Sequence, residues 1–404
     1  MSNFIITGRR WPVVLLILIV TTVTAAMPAL AGEKQTMLVD PWDTSTVDPL
    51  EGGSSLSIVT DGNNHPHISY FGFETADDTS RFGLKYAWWD GAKWVIEFIE
   101  GVGKTDKAET SIALDSQGNP HISYYHAGTR DLRYAYFDEG IQDWVRGAVD
   151  ETGDVGITNS LRLDSNDLPH IAYWDNTLEL VRYASSDGTV WSFSTVEDLT
   201  CTSPWDKRVS LALDSKNLPH VSYHDCALPS KLKYAMQVSS NWDPIEVQAG
   251  NNSGLSSSIE VDSQDRPHIS YRSGDTAGGL MYAYFDGDSW NKSDRIDNDF
   301  LWGKSTSLEL DSGSDPRIAY TFWPVQEYPP EFTKEFRFTY LAGDQQTIEV
   351  IESADPTSEK AEIALAIDGD GNYHVAYWDD VTNLLKYGKR GALNQYIFLP
   401  FVLR

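Results

Sequence analysis

The stretch SIALDSQGNPHISY at residues 111–124 decides the fold, because close copies of it recur along the chain. SIEVDSQDRPHISY at residues 258–271 is one such copy, and the shared pattern is S-[LI]-x-[LV]-D-x-x-x-x-P-H-[IV]-[SA]-Y. The aspartate of this pattern falls at Asp61, Asp115, Asp164, Asp214, Asp262, Asp311 and Asp368. A recurring unit of about 50 residues indicates a repeat architecture in which each repeat is one supersecondary unit.

Two further patterns follow most of the copies. One is L-[KR]-Y-A, as at residues 84–87, and the other is a tryptophan followed after four residues by an aliphatic and usually an acidic residue, as in Trp94, Ile99 and Glu100. The segments alternate apolar and polar residues between turn-forming residues, which predicts four short antiparallel strands per repeat. We name them A (S-L-x-L-D), B (P-H-I-S-Y), C (L-K-Y-A) and D (the tryptophan strand). Seven such units predict an all-β, seven-bladed β-propeller.

The two ends of the chain favour a closed ring over an open array. The seventh repeat reaches strand C at residues 385–388 but has no tryptophan strand of its own. Trp42, Val47 and Asp48 have the missing spacing near the other end of the chain. We therefore predict that an N-terminal strand completes the last blade and closes the ring.

The first residues are typical of a secretory signal. Arg9 and Arg10 precede an apolar run at residues 12–20, and small residues follow at 29 and 31. This predicts a signal peptide over residues 1–31 with cleavage after Ala31, and hence a secreted or cell-surface protein. The apolar run is too short to span a bilayer core of about 30 Å, so no membrane span is predicted. The propeller is assigned to residues 32–390, and residues 391–404 form a short apolar tail, either a sorting tag or a segment that packs on the fold.

Composition excludes several classes of function. The chain of 404 residues has 59 acidic and 31 basic side chains and a net charge of −28, which would repel a nucleic-acid backbone. Its two cysteines have no zinc-binding spacing, and neither a metal nor another cofactor is predicted. In an oxidising compartment Cys201 and Cys226 are expected to form a disulfide. Residues 368–372 have the opening rhythm of a calcium loop, but the same turn occurs in every repeat, so an ordinary turn is preferred.

The repeated polar residues are interpreted as structural. Six of the nine histidines occupy one repeat position: His67, His121, His170, His220, His268 and His374. A catalytic site is built once, whereas a scaffold contact is built in every blade. The repeated aspartate can accept hydrogen bonds from the backbone of the A–B turn. The histidine, the serine and the indole are predicted to extend this network within each blade.

Function is therefore sought in residues that the blades do not share. Because strand direction alternates, the B–C loops and the D–A connectors emerge on one face, here called the connector face, and the A–B and C–D turns on the other, the turn face. The predicted ligand site on the connector face comprises Trp174, Asp175, His224, Asp225, Arg272, Trp323, Trp378 and Asp379 after strand B, with Trp205, Arg208, Trp302 and Lys304 in the connectors. Aromatic side chains stack on sugar faces while polar groups bind hydroxyls, so a glycan or another cell-surface ligand is the expected partner.

The repeat resembles those of secreted bacterial propellers of the broad BNR or sialidase-like group, which includes lectins and some polysaccharide lyases, although the strict box S-x-D-x-G-x-x-W is absent. A sialidase would imply an arginine triad, for which Arg130, Arg208 and Arg272 are the candidates, but no tyrosine and glutamate pair matches. A lyase would imply a histidine and tyrosine pair at the channel mouth, with His126 or His224 as the weak catalytic candidates. Glycan binding without catalysis is preferred; a lyase or glycosidase and a protein-interaction scaffold remain the alternatives.

Overall fold

The fold is described from a computed structural model. The structure describes residues 41–76, 79–104, 108–199, 207–227, 229–250, 253–274, 279–293, 295–297, 305–323, 334–342, 345–354, 361–379 and 381–392. Across these ranges the chain forms 28 strands in seven four-stranded antiparallel sheets, which confirms the predicted seven blades.

The strands follow the repeat pattern in chain order. Strand β1 (Asp43–Asp48) precedes blade 1, which contains β2 (Gly52–Thr60), β3 (Pro66–Ala76), β4 (Thr79–Trp89) and β5 (Trp94–Gly101). Blade 2 contains β6 (Thr110–Leu114), β7 (Pro120–His126), β8 (Asp131–Asp138) and β9 (Asp143–Asp150). Blade 3 contains β10 (Val155–Leu163), β11 (Pro169–Asp175), β12 (Leu180–Ser186) and β13 (Trp191–Asp198).

The remaining blades repeat this order. Blade 4 contains β14 (Val209–Leu213), β15 (Pro219–Asp225), β16 (Lys231–Val238) and β17 (Asn241–Gln248). Blade 5 contains β18 (Ser253–Val261), β19 (Pro267–Ser273), β20 (Gly279–Phe285) and β21 (Trp290–Lys292). Blade 6 contains β22 (Thr306–Leu310), β23 (Pro316–Phe322), β24 (Lys334–Ala342) and β25 (Gln345–Ala354). Blade 7 contains β26 (Ala361–Ile367), β27 (Tyr373–Asp379) and β28 (Leu384–Arg390).

The ring closes through the N-terminal strand. Strand β1 pairs antiparallel with β28 as the outer strand of blade 7, with Asp43 opposite Lys389 and Asp48 opposite Leu385. Each inner strand contacts the inner strands of both neighbouring blades, including β2 with β26. The prediction that an N-terminal strand completes the last blade is confirmed.

The repeated aspartate and histidine are structural, as predicted. All seven aspartates accept two backbone hydrogen bonds within the A–B turn. In blade 7, His374 Nδ1 lies 2.7 Å from the hydroxyl of Tyr387 and Nε2 lies 2.9 Å from Asp368 Oδ2. The equivalent histidine of blade 6 is replaced by Arg317, which pairs with Asp311. Asp368 thus serves an ordinary turn.

The repeated serine and tryptophan act between blades, so their assignment to a network within each blade was wrong. Ser111 Oγ accepts a hydrogen bond of 3.0 Å from the Leu161 backbone of the next blade, and five other strand-A serines do the same. Trp144 packs edge-on against Tyr86 of the preceding blade, with ring centroids 5.4 Å apart. The reason is geometric: one blade covers the face of the next, so a side chain on that face meets the neighbouring blade.

An acidic residue, a tyrosine and a cation join most neighbouring blades. At the junction of blades 2 and 3, Asp150 accepts from the Tyr173 hydroxyl at 2.6 Å and pairs with Arg182 at 2.7 Å. Equivalent acids serve five other junctions: Asp48, Glu100, Glu197, Asp297 and Glu352. At the junction of blades 4 and 5 the acid is replaced by Gln248 and the cation by Met281. The acid and the cation are thus replaced together at this junction.

A glycine sets how closely two blades approach. Gly254 has φ +95°, and a Cβ there would lie 2.8 Å from the Cα of Leu232 in blade 4. We expect Gly254→Ala to lower the free energy of unfolding by about 1–3 kcal/mol, because the left-handed backbone and the contact both disfavour a side chain. Chemical denaturation measures this, with Gly147→Ala as the control, since Gly147 has no neighbour within 4 Å of the added Cβ. Equal stability of the two variants would contradict the prediction.

Candidate functional site

The inner strands of all seven blades line a central channel of about 500 Å³. Each inner strand begins at the connector face, so the residue two places before the repeated serine, or before Ala364 in blade 7, lies near that end of the channel. Six of these residues line the channel, and all six are polar or charged: Ser55, Glu109, Arg208, Ser256, Ser305 and Glu362. We call this set the mouth ring.

The three charged members of the mouth ring come from three different blades. The guanidinium of Arg208 pairs with the carboxylate of Glu109, across the blade that lies between them. The carboxylate of Glu362 accepts a hydrogen bond from the Ser55 backbone. Burial lowers the pKa of Arg208, and the negative charge of Glu362 opposes that shift. The mouth ring therefore presents a guanidinium, two carboxylates and three hydroxyls in one concavity.

Trp378 lies beside this ring. It is directly opposite Glu362 in the register of β26 and β27 and is half-buried. Trp323, also half-buried, lies directly after β23, and the ammonium of Lys334 is 5.8 Å from its ring centroid. These two are the predicted face tryptophans that retain exposed surface among the residues the structure describes.

The prediction that Trp174 offers an exposed stacking surface was wrong. Its side chain is 0% exposed and packs between blades 3 and 4. Lys207, which precedes Arg208 in the chain, lies 5.1 Å from its ring centroid and pairs with Glu179 at 2.6 Å. The physical reason is that strand β11 runs on to residue 175, so Trp174 belongs to a covered sheet face rather than to a loop.

The carboxylates predicted for the same site are also buried and hold the fold together. Asp175 accepts backbone bonds from residues 177 and 178 and lies 3.5 Å from Arg182. Asp225 accepts from the backbone of residue 227, and Asp379 lies 3.5 Å from the buried ammonium of Lys334. The carboxylate oxygens that were predicted to bind a ligand therefore bind groups of the protein itself.

The two histidine candidates occupy different environments. His224 lies next to Arg208 across the sheet, because its backbone N–H donates to the Arg208 carbonyl at 3.4 Å, and its side chain is buried. His126 is half-buried, and its ring contacts the Thr129 hydroxyl at 2.8 Å and the Gly101 carbonyl at 3.2 Å. Arg272, the remaining residue of this group, is buried in β19. One histidine is thus buried, and the other is half-buried and contacts groups of the protein.

Several predicted residues lie outside the described part of the chain. They are Trp205, Trp302, Lys304 and Cys201. Cys226 is a disulfide cysteine, and its pairing with Cys201 stays a prediction. Within the described residues no helix is long and apolar enough to cross a membrane, and no cluster of three potential metal ligands occurs.

Glu109 and Glu362 were missed by sequence reasoning. The signal was present, because aligning the repeats two places before the strand-A serine puts charges in three blades where the others have serine or threonine. The prediction from loop residues and tryptophans assigns strand A to the scaffold alone, so it does not include these two glutamates. A residue on an inner strand faces the channel only once the ring has closed.

Comparisons with known proteins support the fold. No protein-family model and no curated protein sequence matches the chain. A solved structure of an ulvan lyase of family PL25, bound to -[GlcA(1-4)Rha3S]-, is similar with a TM-score of 0.60, 11% identity, and coverage of 86% of this chain and 96% of the lyase. AofleA from Arthrobotrys oligospora is similar with a TM-score of 0.51 and 11% identity, covering 78% of this chain and 90% of AofleA. The lectin SapL1 in complex with alpha methyl fucoside has a TM-score of 0.50 and 12% identity, covering 78% of this chain and 100% of the lectin. At these identities the likeness shows the β-propeller fold alone.

Proposed function

We propose that this protein binds glycans at the connector-face end of its channel. The observation that carries the proposal is the mouth ring, in which all six channel-lining members can form hydrogen bonds. Sugars present many hydroxyls that both donate and accept, and a concave site with converging polar groups matches that chemistry. Trp378, beside Glu362, supplies an aromatic edge for an apolar sugar face.

The three charged residues of the mouth ring indicate a site that selects its ligand, and not merely a polar channel lining. Arg208, Glu109 and Glu362 each occur in one blade, while Ser55, Ser256 and Ser305 occupy the equivalent position in others. The scaffold therefore accepts a serine where these charges stand. The net charge of −28 makes a polyanionic nucleic acid a poor partner. The carbohydrate bound to the ulvan lyase and to SapL1 supports the assignment, since this fold accommodates such ligands in other proteins.

Export belongs to the same proposal. A signal peptide over residues 1–31, removed after Ala31, would deliver the propeller to the cell surface or the medium, where glycans are available. N-terminal sequencing of the exported protein tests this, and the expected first residue is Gly32. A protein that keeps residues 1–31 in the producing cell contradicts export.

A glycan array followed by titration tests the binding site. We expect Arg208→Gln and Trp378→Ala to weaken the binding of array hits by about 10- to 100-fold, because a charge-assisted hydrogen bond or a stacking contact is lost. Arg146→Gln is the matched control, since Arg146 pairs with Asp143 on the outer strand of blade 2. Circular dichroism verifies that each variant is folded.

Two results would count against this function. A blank array leaves the protein-interaction scaffold as the better description. Binding that is unaffected by both channel-side variants would place the ligand elsewhere on the protein.

A further inference from the structure

The turn-face end of the channel contains a second set of charges that the proposed function does not use. It occupies the position two places after the strand-A serine, where blades 3, 5 and 6 have Arg162, Glu260 and Glu309. We call these three residues the floor cluster. The other four blades have Val59, Ala113, Ala212 and Ala366 at the same position. Four residues of extended strand separate this level from the mouth ring, about 13 Å along the channel.

The scaffold does not require charge at this level. Four of the seven blades have an alanine or a valine at the same position. Removing a charged group from water costs free energy, and an apolar residue avoids this cost. Residues that break a repeat without helping the fold are expected at functional sites. The floor cluster is therefore a candidate for chemistry.

The geometry gives the two carboxyl groups different surroundings. Arg162 Nη2 lies 2.6 Å from Glu260 Oε1. The guanidinium also donates a hydrogen bond of 3.0 Å to the backbone carbonyl of the preceding residue. This ion pair joins blade 3 to blade 5 past the small side chain of Ala212. Glu309 is in the inner strand next to that of Glu260, since the Leu308 N–H donates to Ser258 Oγ at 3.1 Å. Among the described residues the Glu309 carboxyl has neither an ion pair nor a hydrogen bond.

Electrostatics separates the roles of these carboxyl groups. Burial, and then the negative charge of Glu260, raise the pKa of Glu309 well above its usual range. Burial also raises the pKa of Glu260, but the charge and hydrogen bond of Arg162 oppose this. The surroundings of Glu309 thus favour its protonated form, whereas Arg162 favours the charged form of Glu260. A pair of titratable groups in contrasting environments is how proteins assemble a general acid and a general base.

We propose that Glu309 and Glu260 form an acid–base pair that hydrolyses a glycosidic bond of a glycan held in the channel. The proposal rests on the glycan-binding function above. Glu309 donates its proton to the glycosidic oxygen, and the bond between that oxygen and the anomeric carbon breaks with its electron pair on the oxygen. A water molecule bonds to the anomeric carbon, and Glu260 accepts the proton that this water loses. Arg162 is the positioning residue, because its guanidinium holds the Glu260 carboxyl group in place and favours its charged form.

The test compares hydrolysis by the full protein and by matched variants. The probes are a panel of 4-nitrophenyl glycosides and every glycan that the array identifies, and the readout is released nitrophenol or new reducing ends. We expect Glu309→Gln and Glu260→Gln each to lower the rate by about 10²- to 10⁴-fold, the usual contribution of general acid–base catalysis. Glu246→Gln is the control, since Glu246 pairs with Lys231 on the outer side of blade 4 and should leave the rate unchanged.

A second readout separates catalysis from structural support. Glu309→Gln should keep its affinity for the glycan and keep or raise the melting temperature, because a half-buried carboxyl group is replaced by a neutral amide of similar shape. A Glu309→Gln variant that loses stability together with activity would contradict the catalytic role.

The two proposals fail in different ways. Wild-type protein that binds array glycans but leaves all of them and the nitrophenyl panel intact overturns hydrolysis while glycan binding stands. Protein that neither binds nor cleaves any probe overturns both.

Discussion

Replacing Asp48 by Ala is expected to lower the free energy of unfolding by about 3–5 kcal/mol. Strand β1 belongs to blade 7, but the Asp48 carboxylate accepts from the Tyr70 hydroxyl of blade 1 at 2.6 Å and pairs with the Lys85 ammonium of the same blade. Lys85 is 2% exposed, so removing the carboxylate leaves a buried cation without its counter-charge. Urea denaturation at constant pH measures the loss.

The junction of blades 4 and 5 provides the matched control. Gln248 and Met281 stand there in place of the acid and the cation, so Gln248→Ala should cost less than about 1 kcal/mol. The double variant Asp48→Gln, Lys85→Met copies this natural pair into the closing junction and should recover most of the stability lost in Asp48→Ala. If Asp48→Ala costs no more than Gln248→Ala, the ion pair does not hold the ring closed.

Mild acid is expected to destabilise the fold strongly. Burial lowers the pKa of each of the six repeated histidines, and that of His67 falls to about 4. The unfolded chain takes up these protons near pH 6.5, whereas the folded protein resists them. The stabilisation is therefore complete above about pH 6.5 and is lost as the pH falls towards the folded pKa values. His67 alone accounts for roughly 3 kcal/mol over that range.

Melting temperatures between pH 7.5 and 4.5 test this expectation against an opposite effect. With a net charge of −28, protonation of exposed carboxylates would relieve repulsion and raise stability in the same range. A melting temperature that falls below pH 6.5 identifies the histidines as dominant, while a constant or rising one contradicts the prediction. His67→Gln should show a smaller decrease than the wild type.

The difference between repeated and unrepeated residues was the feature of the sequence that best predicted the roles of side chains. It correctly assigned the repeated aspartates and histidines to the scaffold and not to a functional site. The reason is that a contact needed by every blade must be encoded in each repeat. It failed for Trp174, Asp175 and Asp379, which are unrepeated but buried. Strand B continues through these residues, and no local pattern distinguishes the last pair of a strand from the first pair of a loop.

The sequence alone determined the seven blades, their four strands and the closure of the ring by Asp43–Asp48, because strand alternation and turn residues are local properties that repetition amplifies. Only the tertiary structure decided which polar residues face the channel. Arg208 meets Glu109 and Arg162 meets Glu260 across an intervening blade, over sequence separations of 99 and 98 residues. Such contacts exist only when the ring is closed, since each residue lies on a different blade and the channel is the space that all the blades share.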